Sequence, residues 1–237
     1  MIFKNRSTEP EWLDLNLETA VSRLNNGPFT DQEYDNCLKQ LGNVGNWLQG
    51  DRATFKVLKK LNKAPQSILD IGCGGGYFTK KLAQFYSTAA VLGVDLNPKA
   101  IQHAIQNNKE RSNLNFEVWE KSSFNKVESY DLILTTLVCH HMSDQELILF
   151  LKQAYKACRH AIVINDLHRH VLAYCSFALI APVLFQNRLI SHDGLISIKR
   201  GFKHSEWIHY LKEAGIPLEN CSIKRHFPFR WTVVIQK

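Results

Sequence analysis

The chain has 237 residues, 45% apolar and 22% charged, with 29 Lys and Arg against 22 Asp and Glu for a formal charge of +7. That supply of apolar side chains fills one large domain or at most two small ones, and it excludes disorder, collagen and coiled coil. No run approaches the roughly 20 apolar residues of a spanning helix. Residues 1–12 lack an apolar signal core, and the six cysteines are scattered without a C-x-x-C pair, so reduced thiols in a cytoplasmic protein are expected.

Residues 1–64 read as a helical segment of the same domain, with a helix start at Asp31 and Glu33 and a second helix over 44–61 bearing a basic outer face. The Gly42 and Gly50 neighbourhoods interrupt it. From Pro65 the pattern changes to short β-branched or Leu-rich runs alternating with amphipathic ones. Strands are expected at 67–71, 90–95, 115–119, 130–135 and 161–166, and helices at 78–85, 98–108 and 145–158. Such alternation implies a mostly parallel sheet covered on both faces. After Asp166 it stops. The stretch 171–185 is nearly all apolar and broken by Pro182, and 186–203 reads as a polar, Gly-containing loop. A helix from a Ser205 N-cap to Ala214 follows, with Gly215 beyond its end. Strands at 221–227 and 230–236 close the chain as a hairpin.

The most informative stretch is Ile68-Leu69-Asp70-Ile71-Gly72-Cys73-Gly74-Gly75-Gly76-Tyr77. An apolar strand runs through glycines into a helix, so the backbone can turn tightly and approach a ligand beside free helix N–H groups. A dinucleotide site prefers G-x-G-x-x-G, but the sixth position here is Tyr77. The Asp70 carboxylate, two places before Gly72, suits an amino-acid ammonium group better than a pyrophosphate. Asp95 ends the next strand, where an acid can accept both hydroxyls of a ribose.

These residues resemble the class I S-adenosylmethionine-dependent methyltransferases, on LDIGCGGG (69–76), GVDLN (93–97) and YDLILTTLVCHHM (130–142). The resemblance implies an α/β, Rossmann-like seven-stranded mostly parallel sheet with an antiparallel C-terminal hairpin and helices on both faces. It implies S-adenosyl-L-methionine as cofactor, with Gly72, Gly74 and Gly76 against it and Asp70 near its amino-acid part. Asp95 would hold the ribose, Leu96 would lie on the adenine, and Thr136 would be near the methionine part. Many relatives carry an Asp just after the third strand for the adenine amino group. Here the chain reads Glu120-Lys121-Ser122-Ser123, so that contact passes to Ser122 or Ser123, a weaker acceptor than a carboxylate. Arg52 either reaches the cofactor carboxylate from the amino-terminal helices or is a solvated helix cation.

Methyl transfer from a sulfonium needs alignment and, for a hydroxyl acceptor, removal of a proton. Ligands of such sheets sit beyond the strands' carboxyl ends, which brings forward two groups. His140 and His141 follow the fourth strand, and the pair looks like that of the ubiquinone and menaquinone branch. One is a candidate general base, or it packs or caps the next helix. Asp166, with His168 and His170, follows the fifth strand. It either orients or deprotonates a phenol or caps the 171–185 helix. His168-x-His170 lacks the partners of a metal site, so no metal is expected. His192, in the Ser191-His192-Asp193-Gly194 turn, belongs to an insertion at about 168–204. There the resemblance to quinone- and polyketide-type enzymes places a helical lid over an aromatic acceptor.

The resulting expectation is methyl transfer to a small molecule, at the hydroxyl of a phenolic or polyketide-like acceptor, with no nucleic-acid partner and no membrane span. An RNA methyltransferase is the alternative, motivated by the +7 charge and by Lys56, Lys59, Lys60 and Lys63. Against it, 135–138 lack the Asn/Asp-Pro-Pro-aromatic run of adenine-modifying relatives. A non-catalytic protein that binds adenosylmethionine is the third reading.

Overall fold

The computed structural model describes residues 3–14, 30–47, 50–61, 63–109, 111–120, 129–185 and 187–237. Its strands are β1 Ser67–Ile71, β2 Ala90–Asp95, β3 Leu114–Val118, β4 Tyr130–Thr136, β5 Cys158–Leu167, β6 Cys221–His226 and β7 Arg230–Gln236. Its helices are α1 Asp31–Trp47, α2 Gly50–Leu58, α3 Tyr77–Phe85, α4 Pro98–Gln106, α5 Asp144–Ala157, α6 Val171–Leu184, α7 Arg188–Arg200 and α8 His204–Glu213. The strands form one sheet in the order β3-β2-β1-β4-β5-β7-β6. β1 to β5 pair in parallel, and β7 runs antiparallel to both β5 and β6. The expected seven-stranded, mostly parallel sheet with a closing hairpin is present.

Alternation explains the layers. Leu69, Ile133, Ile162 and Ile164 pack on one face against Leu147 and Leu151 of α5 and Trp207 and Leu211 of α8. Ile68, Leu132, Leu134 and Val163 pack on the other against Leu58 of α2 and Leu82 and Ala83 of α3. Each such side chain stabilises by about 1.5–3 kcal/mol when fully buried. The parallel strands are covered on both sides, as their continuous apolar sequence requires.

Several elements differ from the sequence expectation. Of the two interruptions expected, the one at Gly50 is present, where α2 starts afresh, and the one at Gly42 is not. α1 runs through Gly42 to Trp47, because a helix tolerates an interior glycine at about 1 kcal/mol. The loop read over 186–203 is the helix α7. Asn187 caps it by accepting the Leu189 N–H, and Leu189, Ile190, Ile196 and Ile198 are buried, so tertiary burial outweighs the turn character of Ser-His-Asp-Gly. Gly194 serves a close crossing, since a Cβ there would lie 2.3 Å from the Phe177 ring of α6. The cap of α8 is Lys203, two positions before the expected Ser205, and its N–H is taken by the Glu206 carboxylate at 2.7 Å. α6 runs through Pro182 and buries only Ala173 and Ala181, leaving Leu179 and Val183 about four-fifths exposed (78% and 81%).

The amino-terminal strap, residues 3–14, lies against α7, α5 and α8. Arg6 pairs with Asp144 at 2.8 Å, lies 4.4 Å over the Phe202 ring and donates to the Arg200 carbonyl. All six cysteines are free thiols. No described helix is long and apolar enough to cross a membrane.

Candidate active site

The glycine bend stands at the carboxyl end of β1. Gly72, Gly74 and Gly76 have φ of 72°, 52° and 75°, left-handed values that a side chain adopts only at a cost. A Cβ on Gly72 would lie 2.2 Å from Val138, and one on Gly76 2.6 Å from the Phe116 ring. Asp95 braces the bend from β2, its Oδ2 accepting the Gly74 N–H at 2.8 Å and its Oδ1 the Asn97 N–H at 2.9 Å. Asp70 is buried at the end of β1 and accepts the Thr79 hydroxyl at 2.7 Å, and burial pushes its carboxyl up to about 7. Leu96 is exposed. Ser122 and Ser123 lie outside the described residues. Arg52 is exposed on α2, while its neighbour Asp51 is buried and pairs with Lys81 at 2.5 Å.

At the ends of β4 and β5 lies a layer of unsatisfied polar atoms. Thr136, Asn165 and Thr232 are successive register partners across β4, β5 and β7. Asn165 Nδ2 donates to the Gly50 carbonyl and to Thr54, both at 2.8 Å. The Asn165 Oδ1, the Thr136 hydroxyl and both terminal nitrogens of Arg230 are buried without a hydrogen-bond partner among the described residues. Such orphans are uncommon in folded proteins and mark places where a ligand or water completes the set. The bare glycine backbone, Asp95 and the unpaired Thr136 and Asn165 oxygens fit a nucleoside carrying a zwitterionic amino-acid arm.

A second cluster lies just beyond. Leu137, at φ 59°, turns the chain into a single 3-10 turn, Cys139–His141. His140 is 2% exposed, and its Nδ1 meets Asp166 Oδ1 at 2.7 Å while its backbone N–H donates to Asp166 Oδ2 at 3.3 Å. Glu11, from the strap, is 3.5 Å from His140 Nε2 and 3.8 Å from His141 Nε2, and Ser197 of α7 donates to it at 2.8 Å. Burial works against the His140 imidazolium, but Asp166 first and Glu11 second outweigh it and raise the ring to about 9. Burial likewise disfavours the Asp166 and Glu11 carboxylates, and the imidazolium between them holds both below the ordinary range. Arg200 fixes the turn from behind, donating to the His140 and His141 carbonyls at 2.8 and 2.5 Å.

The structure therefore joins three of the four residues expected on the acceptor side, and gives them different work. His140 and Asp166 form a buried ion pair. His141 keeps a side chain that is 31% exposed. Asp166 does not cap α6; His170 does, its Nδ1 accepting the Leu172 N–H at 3.1 Å. His192 stands on α7, stacked on Trp12 with centroids 3.5 Å apart and bonded to Asp193 at 2.9 Å. Asp193 receives the Trp12 and Leu13 N–H groups, so the His-Asp-Gly segment anchors the strap that delivers Glu11. Glu11 itself escapes sequence reasoning, because no local pattern links a lone acid to histidines far along the chain.

Glu11, His140 and His141 also bring three potential metal-ligand atoms within 4.8 Å of one another. A doubly hydrogen-bonded imidazolium has no lone pair to offer. The His140 ring, raised to about 9, stands between Asp166 and Glu11.

Residues 68–161 match the family model described as a methyltransferase domain. The ribosomal protein L11 methyltransferase of Thermosipho africanus is 28% identical over 161 residues, which are 63% of this chain and 61% of that protein. The malonyl-[acyl-carrier protein] O-methyltransferase of Legionella pneumophila is 36% identical over 72 residues, 30% of this chain and 23% of that one. The chain thus matches less than two thirds of the length of these curated relatives. Human N-acetylserotonin methyltransferase in complex with SAM superposes with a TM-score of 0.64 at 16% identity, over 97% of this chain and 63% of that chain. The plantazolicin methyltransferase BpumL in complex with SAH gives 0.62 at 19% identity, over 93% and 99%. At these identities the superpositions show a shared fold.

Proposed function

We propose that this chain, which has the domain and the fold of the class I S-adenosylmethionine-dependent methyltransferases, transfers a methyl group to the hydroxyl of a small phenolic or polyketide-like acceptor. The observation that carries the acceptor side is the partly exposed His141, set beside a fully buried His140–Asp166 pair at the ends of β4 and β5. The donor, when bound, supplies an already activated methyl. Gly72, Gly74 and Gly76 let the backbone approach it, Asp95 is available for the ribose, and Thr136 for the amino-acid arm. His141 takes the acceptor proton, a contribution worth about 10²–10⁴ in rate. His140 is a positioning residue. Charged and locked between Asp166 and Glu11, it fixes the turn on which His141 stands.

Support for oxygen as the methylated atom also comes from the relatives named as O-methyltransferases. The test is incubation with methyl-labelled adenosylmethionine and a panel of phenols, phenolic acids, ribosomal protein and total RNA. Label on a phenol is the expected result. Label confined to RNA or protein would refute it, and donor binding with no transfer anywhere would make the chain a binding protein.

A further inference from the structure

Arg230 opens β7 opposite Leu167, and its side chain has no work in anything described so far. It is 2% exposed, and neither terminal nitrogen has solvent or a hydrogen-bond partner among the described residues. The guanidinium faces the start of α2. A Cβ on Gly50 would lie 3.1 Å from its Cζ and 3.2 and 3.3 Å from its two terminal nitrogens. The nearby carboxylates are committed elsewhere, Asp166 to His140 and Asp51 to Lys81. They offset the charge without bonding to it. Close by, the Gly50 carbonyl receives Asn165, whose own Oδ1 is left unpaired.

A buried charge without a hydrogen-bonding partner is among the most costly features a fold can carry. Replacing it with an apolar side chain of similar volume is often neutral or stabilising, so structural need does not account for it. What a guanidinium offers is a planar fork of donors that matches a carboxylate in a bidentate pair. We infer that Arg230 is the receptor for a ligand carboxylate, held between the start of α2 and the ends of β5 and β7. Arg52, which the sequence offers for that role, is exposed. In the strand order, β7 stands three places from β1 and its glycine bend, on the far side of β4 and β5. That position assigns the carboxylate to the acceptor, making it a phenolic acid or another acid-bearing small molecule. The donor's own carboxylate is the other source of the same chemistry. The inference deepens the methyl-transfer reading and rests on it.

Binding is measured by calorimetry on the wild type and on Arg230→Met, in two matched pairs. The first pair is 4-hydroxybenzoate and 4-hydroxybenzamide, with and without saturating adenosylhomocysteine. The second is adenosylhomocysteine and methylthioadenosine, which lacks the amino-acid arm. The expected result is at least a tenfold preference of the wild type for 4-hydroxybenzoate, abolished in Arg230→Met, with adenosylhomocysteine affinity unchanged. A tenfold loss for adenosylhomocysteine with methylthioadenosine unchanged keeps the carboxylate receptor and moves its source to the donor. A wild type with no carboxylate preference in either pair, or a preference that survives the substitution, overturns the inference. The ligand-free variant should melt no lower than the wild type, because a buried charge whose terminal nitrogens have no partner among the described residues is removed. If it fails to fold, Arg230→Lys, which keeps the charge and loses the fork, must reduce the same preference. Failure of the wild type to bind any adenosine compound would instead refute the methyl-transfer reading, and the pair measured without it still decides the role of Arg230.

Discussion

Replacing Asp166 by Asn keeps the volume at the end of β5 and removes the charge opposite His140. The wild-type ring, ordinarily near 6.5, is held at about 9, which corresponds to about 3 kcal/mol at roughly 1.4 kcal/mol per unit. Both partners are buried, so solvent screens little of that energy, and loss of one member of a buried pair independently suggests about 3–5 kcal/mol. The expected loss near pH 7 is therefore about 3 kcal/mol, or about 6–12 °C in melting temperature for a chain of this length. The pH dependence follows from the direction of each shift. His140 contributes fully below its unfolded value near 6.5, and that stability drains away as pH rises through about 9. The lowered Asp166 and Glu11 contribute above their ordinary values and lose their share as pH falls through the folded ones. Urea melts at pH 6, 7.5 and 9.5 should show wild-type stability falling across that range and a flatter profile in Asp166→Asn. A variant within about 0.5 kcal/mol of the wild type at pH 7, or with the same slope, would refute the buried pair.

His141→Ala should lower the rate of label transfer by about 10²–10⁴ while leaving adenosylhomocysteine binding intact; an unchanged rate removes His141 as the base. Gly72→Ala forces a side chain to φ 72° and to within 2.2 Å of Val138, so cofactor binding measured by thermal shift should be lost, and wild-type affinity would contradict the bend's role. Because the charged His140 has no lone pair to give, dialysis against a chelator should change neither melting temperature nor transfer, and a restorable loss would convert the Glu11, His140 and His141 trio into a metal site.

Much of this architecture was legible before any coordinates. Apolar runs at β-strand length alternated with helical periodicity, and β1 and β2 lie where the sequence puts them, residue for residue. β3 shifts by a single residue and β4 gains one at its end, whereas β5 extends beyond its apolar run because the sheet continues to pair with its flanks. The three left-handed glycines and Asp95 were readable because their conformational need is local. α7 was not, since its Ser-His-Asp-Gly stretch has turn chemistry and becomes helical only by burying its apolar residues under α6 and the strap.

Local periodicity and conformational preference are properties of neighbours along the chain, so the sequence alone determined the βα order, the glycine bend, the acid that closes β2 and the terminal hairpin. Which charges meet depends on which strand ends stand side by side. Only the tertiary structure could set Glu11 against His140, join His140 to Asp166, withdraw Asp70 into the interior and bury the terminal nitrogens of Arg230 with no hydrogen-bond partner among the described residues. Pair energies of that kind arise between residues well separated in sequence, 26 positions for His140 and Asp166 and more for Glu11 and His140, and no pattern along the chain records them.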